Sequence, residues 1–167
     1  LSRRDPKRMK SGGGSPEEVV RVAMRHMERA RTENIEYDAV YCVMDVEGPD
    51  KKASLSNART LARRNNIRCC LSNPSFEVWL LAHFTRTCKS FGAAANVVKE
   101  LEKFWKTLTS AVYDKNDRDI YRKTARLIDT ALNNSRSVHK QDHHDGDIAD
   151  CDSSTDVYEL ISYLLGR

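Results

Sequence analysis

The sequence predicts an α/β domain in which a parallel sheet is flanked by helices. Three consecutive segments indicate this class: an apolar run at 37–45, an amphipathic stretch from about Lys52 to Asn65, and a second apolar run from Ile67 to Leu71. The apolar runs are rich in β-prone residues, as is typical of strands buried on both faces of a parallel sheet. A strand, a helix and a second strand in this order form a βαβ unit, whose crossover is expected to be right-handed.

Helices are predicted for most of the remaining chain. Ser15 can cap the first helix, Pro16 suits its first position, and Glu18 completes a capping box. The C-terminal half is predicted to be helical, in four segments: 74–84, 92–108, 117–132 and 155–165. The sequence therefore predicts a sheet-containing first half and a helical second half.

Two segments differ in composition from the rest of the chain. Residues 1–14 are basic and then glycine-rich, which predicts a mobile arm. Residues 135–153 are rich in His and Asp and are predicted to form a polar loop. Such a stretch could bind a transition metal, but its spacing matches no structural zinc site and a solvated loop is favoured. The remainder, 15–167, is predicted to be one domain, which agrees with a length of 167 residues.

Charge and composition exclude some classes of protein. The chain has 28 Lys and Arg against 24 Asp and Glu, a formal net charge of +4, which is compatible with nucleic-acid binding without requiring it. No apolar run approaches the roughly 18 residues that a membrane span needs. The basic N-terminal segment is followed by no apolar stretch, so no signal peptide is expected. Five cysteines without a C-x-x-C pair favour a reducing cytoplasm.

The first candidate site residues are two acids, Asp45 and Glu47, at the carboxyl end of the first predicted strand. Ligands bind at this edge of open α/β sheets. Residues two apart on an extended chain point to the same side, so both carboxylates can face one cation. Mg²⁺ prefers such oxygen ligands. The alternative is that the acids simply begin a solvated loop.

A second group of candidates follows the next predicted strand. Ser72 or Asn73 can cap the helix that begins near Pro74, and Glu77 falls in its first turn. These residues should lie beside the first acidic pair, because parallel strands end at the same edge of the sheet. The alternative is that Glu77 only complements the helix dipole. His83, in the same helix, is interpreted as a packed histidine rather than a ligand.

Two basic groups are candidates for contacts with phosphates. One contains Arg63 and Arg64 near the crossover helix, and the other contains Lys115 and Arg118. Lys and Arg bind phosphates without reading sequence. The alternative is an ordinary charged helix face.

The motifs taken together resemble a known family. Val40-Tyr-Cys-Val-Met-Asp-Val-Glu47 is followed by Ser72-Asn-Pro-Ser-Phe-Glu-Val-Trp-Leu-Leu-Ala-His-Phe84, and later by Tyr113-Asp-Lys115 and Ser154-Thr-Asp-Val-Tyr158. This order resembles the RloB-like family of bacterial antiviral defence, from about Ser11 to the end of the chain. Members look like variants of the TOPRIM domain, the Mg²⁺-binding fold of topoisomerases, primases and OLD-type nucleases. The resemblance implies a Rossmann-like parallel sheet, an acidic cluster at the strand ends, and a companion AAA or ABC-like ATPase.

The resemblance also implies roles for individual residues. Asp45 and Glu47 take the places of the TOPRIM Asp-x-Asp pair, with Glu in the second position. Glu77 fills the family's glutamate after Pro-x-Phe. The family also has a Glu-Gly-x-x-Thr-Glu stretch upstream, and nothing before Gly12 matches it. Either the sequence is truncated or this member has lost that acid.

The function expected from the resemblance is a nuclease domain that depends on Mg²⁺ or Mn²⁺ and acts with the ATPase in abortive infection. Asp45 and Glu47 would hold the metal, Glu77 would assist, and the basic groups would position a DNA or RNA backbone, including that of tRNA. The alternative is a catalytically inactive sensor or docking subunit of the same complex. The sequence distinguishes neither DNA from RNA nor a monomer from an oligomer.

Overall fold

The computed structural model describes residues 14–46, 51–142 and 148–167, with the side chains of 51, 52 and 140–142 left out. The α/β class is confirmed. The elements along these residues are α1 (Pro16–Thr32), β1 (Val40–Asp45), α2 (Lys51–Arg64), β2 (Ile67–Asn73), α3 (Glu77–Ala82), α4 (Ala94–Thr109), α5 (Ile120–Thr124), a 3₁₀ turn (Ala125–Leu127), α6 (Ile128–Asp142), β3 (Ser154–Thr155) and α7 (Val157–Leu165). No helix within these ranges has the length and apolarity needed to cross a bilayer.

The described sheet has three strands in the order β1-β2-β3. The predicted parallel pair is confirmed, with Val40 opposite Ile67 and Asp45 opposite Ser72. The third strand was not predicted, because only two of its residues pair, and they run antiparallel to the end of β2. The sheet is therefore small and mixed rather than wholly parallel.

One face of the sheet is covered by α1 and α2. The predicted cap of α1 is confirmed, since the Ser15 hydroxyl accepts the backbone N–H of Glu18 at 3.3 Å. The core on this face is built from side chains of both helices and both long strands: Val20, Cys42, Met44, Val46, Leu55, Ala58, Ala62, Ile67 and Leu71. Burial of these apolar side chains is the main stabilising contribution on this side.

The helical C-terminal half forms a second core. It gathers Trp79 and Leu80 from α3, Leu101 and Trp105 from α4, Leu132 from α6 and Val157 from α7. Helix α7 returns along β2, where the N–H and C=O of Leu71 both bond to Asp156. The second core therefore lies against β2 rather than against the whole sheet.

The prediction that the first strand is buried on both faces is wrong within the described residues. Cys42 and Met44 are buried, but Val43 on the opposite face is 40% exposed and Asp45 is also exposed. The reason is the position of α7, which covers β2 and approaches β1 through a ring contact between Tyr163 and Tyr41. One face of β1 is thus left open in this part of the chain.

The predicted polar loop at 135–153 is also corrected. Its first eight residues continue helix α6 as far as Asp142, because Leu132, Ser135 and Val138 recur on one buried face. Residues 143–147 of this loop, like residues 1–13 of the predicted arm, lie outside the described residues. Helix α6 also begins later than predicted, after α5 and the 3₁₀ turn.

Candidate active site at the carboxyl ends of β1 and β2

Asp45 is the last residue of β1 and lies at the edge where β1 and β2 both end. The ladder continues one residue beyond it, since the N–H of Val46 donates to the carbonyl oxygen of Ser72 at 2.9 Å. Asp45 Oδ1 accepts the backbone N–H of Phe76 at 2.9 Å. This bond connects the exposed carboxylate to the residue immediately before α3. Asp45 therefore helps to fix the start of α3 relative to β1.

Ser72 and Asn73 do not cap α3, contrary to the prediction. The Ser72 hydroxyl is buried and hydrogen-bonded to the Thr155 hydroxyl at 2.7 Å. Asn73 Nδ2 donates to the carbonyl oxygens of Ile148 and Ala149, each at 3.1 Å. The two side chains hold β3 and residues 148–149 against the end of β2. They support the edge of the sheet on which the candidate site lies.

Glu77 is the first residue of α3, and both of its carboxylate oxygens accept hydrogen bonds. The Ser75 hydroxyl donates to Oε2 at 2.6 Å, and the Tyr113 hydroxyl donates to Oε1 at 3.4 Å. Burial, and then the negative charge of Glu77, raises the pKa of Tyr113 above its ordinary value. Tyr113 therefore stays protonated and acts as a donor. The sequence singled out Tyr113 only as a motif position and gave no sign of this bond.

Asp45 and Glu77 lie at the same edge of the sheet. The backbone N–H of Phe76 donates to Asp45, and Glu77 is the next residue along the chain. Glu47, the third predicted acid, lies outside the described residues. Across 14–46, 51–142 and 148–167, no three side chains of His, Cys, Asp or Glu form a group able to hold a metal. The described part of the site therefore contains one exposed carboxylate and one that is held by two hydroxyl groups.

The four predicted basic residues separate into two locations. Lys115 and Arg118 are exposed in the loop that follows Tyr113, on the Glu77 side of the site. Arg63 and Arg64 lie in the last turn of α2, which starts near the carboxyl end of β1 and finishes near the amino end of β2. A helix of 14 residues spans about 21 Å. Arg63 and Arg64 are thus at the opposite edge of the sheet.

His83 is a packed histidine, as interpreted from the sequence. It is 2% exposed, and its ring lies edge-on to Trp79. Nδ1 lies 3.0 Å from the carbonyl oxygen of Trp79, and because a carbonyl only accepts, this nitrogen carries the proton. Burial lowers the pKa of His83, against the smaller opposing effect of its backbone hydrogen bonds. The side chain is consequently neutral and structural.

Comparison with known proteins identifies the family. A family model described as RloB-like protein matches residues 2–164 of the chain. Searches of curated proteins and of solved structures find no match. The family match covers nearly the whole sequence and agrees with the motifs at 40–47 and 72–84. The chain therefore belongs to the RloB-like protein family.

Proposed function

We propose that this chain is a Mg²⁺-dependent nuclease domain that cleaves phosphodiester bonds in DNA or RNA. The observation that carries the proposal is the position of Asp45. Its carboxylate is exposed at the carboxyl end of a parallel strand pair and is oriented by the N–H of Phe76. Ligands and reacting groups bind at this edge of an α/β sheet.

The residues at this edge are suited to a hard cation. Mg²⁺ keeps several waters and takes one or two protein carboxylates, so a single well-placed aspartate with one neighbour is a sufficient protein contribution. The Phe76 N–H donates to Asp45 Oδ1 at 2.9 Å, which orients the carboxylate at this edge. Asp45, together with Glu47, would hold the ion. When bound, the ion would stabilise the charge that develops on the scissile phosphate.

Glu77 is proposed to act beside Asp45 rather than as a main ligand. Its two oxygens accept hydrogen bonds from Ser75 and Tyr113, which fix the direction of the carboxylate. A carboxylate held in this way can accept a hydrogen bond from an attacking water through its remaining lone pairs. Its role is therefore to orient a water molecule and to receive a proton.

Lys115 and Arg118 are the basic residues proposed to contact the nucleic-acid backbone near the site. They follow Tyr113 by two and five residues and are exposed. Their positive charge would lower the cost of bringing a phosphate next to two carboxylates. Arg63 and Arg64 would contact only a substrate long enough to reach the other edge of the sheet.

Membership of the family motivates the cellular part of the proposal. The RloB-like resemblance implies abortive infection and an AAA or ABC-like ATPase partner in the cytoplasm, and a transfer RNA is one candidate substrate. A second candidate function is a sensor or docking subunit without catalysis. The hydrogen bonds to both oxygens of Glu77 favour this alternative, because a structural carboxylate is satisfied in the same way.

A metal titration separates the two functions. We expect calorimetry with Mg²⁺ or Mn²⁺ to give a saturable binding heat for the purified chain and none for Asp45→Asn. Asparagine keeps an oxygen that can accept the Phe76 N–H, so the fold is preserved while the charge is removed. The matched control is Asp38→Asn, which removes an exposed carboxylate before the other end of β1. Equal binding by Asp45→Asn and Asp38→Asn would contradict the proposal, and an absence of binding by all three would favour the sensor.

A further inference from the structure

An aromatic and cationic cluster, in which one tyrosine is half-buried and the other two side chains are exposed, lies on the open face of β1. It consists of Tyr41 on β1, Arg68 on β2 and Tyr163 near the end of α7. The two tyrosine ring centroids are 5.6 Å apart, and the Arg68 guanidinium carbon is 5.4 Å from one and 5.7 Å from the other. Arg68 also donates from Nη1 to the Tyr41 hydroxyl at 2.7 Å. These contacts hold three flat groups together on the surface.

The cluster shares a sheet face with Asp45. Side chains two apart on a strand point to the same side, so Tyr41, Val43 and Asp45 form one row. At about 3.3 Å per residue, the row runs about 13 Å from Tyr41 to Asp45. Val43, in the middle, is 40% exposed, and Phe76, whose amide holds Asp45, is 36% exposed. Val43 therefore places an exposed apolar side chain between the cluster and the carboxylate.

The charge of the cluster indicates what kind of ligand it fits. Among the described residues, no carboxylate forms an ion pair with Arg68, whose guanidinium is exposed. Tyrosine rings and arginine guanidinium planes are the groups on which unstacked bases lie, and a neighbouring cation attracts the phosphate. A duplex hides the faces of its bases inside the stack, so it cannot use such a surface. The chemistry therefore fits a single strand better than a duplex.

We propose that Tyr41, Arg68, Tyr163 and Val43 form a base-stacking platform that receives single-stranded nucleic acid and directs it to Asp45. This rests on the proposed nuclease function and specifies its substrate as a single strand. A row of about 13 Å can accommodate two or three bases, as the sheet surfaces of RNA-binding domains do. The phosphate that follows the stacked bases would lie at Asp45.

The test is a binding measurement without metal, so that it does not depend on cleavage. Labelled eight-nucleotide strands of oligo-dT and oligo-U are titrated with the protein in EDTA, and binding is followed by fluorescence anisotropy. We expect Tyr163→Ala to weaken binding about tenfold or more, since stacking contributes that much per base. Tyr163→Phe keeps the ring and should bind like the wild type. The tighter of the two strands distinguishes DNA from RNA as the ligand.

Two controls make the result specific. Tyr121→Ala removes a tyrosine that is 72% exposed on α5 and takes part in none of the platform's contacts, and this variant should bind like the wild type. A hairpin duplex of equal charge should compete less well than the single strand. Equal affinities for Tyr163→Ala and Tyr121→Ala, or equal competition by the duplex, would overturn the platform. Because metal binding at Asp45 is measured separately, either proposal can fail while the other holds.

Discussion

The two long strands of the sheet lie side by side, yet they are covered differently. From Cys70 to Ser72, β2 is buried on both faces, with Leu71 against α2 and with Cys70 and Ser72 towards α7 and β3. In the described residues, β1 is buried on one face only, although both strands are similarly apolar in sequence. Strand composition thus predicts that a strand forms, whereas the helices that pack against the strand determine how many of its faces are buried.

The carboxyl ends of β1 and β2 lie at the same edge of the sheet, but the residues there differ in burial. β2 continues through Asn73 into α3, whose residues 78–82 are all buried. β1 ends at Asp45, which is exposed and adjoins the open face. A charged group at the end of the less covered strand can reach a ligand without losing its hydration first. For this reason Asp45, rather than a buried residue of α3, is proposed as the metal ligand.

Matched truncations in the two strands test the comparison most strongly. Leu71→Ala in β2 should lower the free energy of unfolding by about 3 kcal/mol, because it removes a fully buried side chain. Val43→Ala in β1 should lower it by less than about 1 kcal/mol, since the side chain is already partly in water. Urea denaturation measures both changes. Similar losses for the two variants would show that the outer face of β1 is as well covered as β2.

A smaller effect on the free energy of unfolding is expected from pH, through His83 at the end of α3, the buried helix that follows β2. Burial lowers the pKa of His83 below its ordinary value of 6.5, so the unfolded chain binds a proton first as the pH falls. Stability should therefore decrease as the pH is lowered through 6.5 towards the folded-state pKa, by at most about 1.4 kcal/mol per pH unit from this group.

His83→Asn removes this contribution and should flatten the pH dependence of stability between neutral and mildly acidic conditions. The comparison is made by urea denaturation at a series of pH values, with the wild type as reference. An unchanged slope in the variant would mean that His83 is charged or hydrated in the folded protein. The surroundings of His83 at the end of α3 would then be more accessible to water than its burial indicates.

The parallel pair and the start of α1 could be predicted from sequence because their signals are local. Two apolar runs separated by an amphipathic stretch specify a βαβ unit. Ser15 and Pro16 mark the helix start through chemistry within four residues. The positions of Asp45 and Glu77 at one edge follow from the same parallel arrangement.

Other features depend on contacts between distant segments and left no local signal. β3 exists because Ser154 and Thr155 meet the end of β2, about 80 residues earlier in the chain. The continuation of α6 was hidden by Ser135, a polar residue in an otherwise apolar row. Three further features could likewise be found only in three dimensions. They are the Tyr113–Glu77 hydrogen bond, the position of Arg63 at the opposite edge of the sheet, and the open face of β1.

We propose that Asp45 provides the carboxylate needed for phosphodiester cleavage. The most direct measurement is the rate at which the purified chain, with the proposed ATPase partner present, cleaves labelled single-stranded DNA and RNA in Mg²⁺ or Mn²⁺. Asp45→Asn and the control Asp38→Asn are compared under the same conditions, after thermal melting has shown that both are folded. We expect metal-dependent cleavage that is lost in Asp45→Asn and retained in Asp38→Asn. Cleavage by Asp45→Asn at the wild-type rate would contradict it.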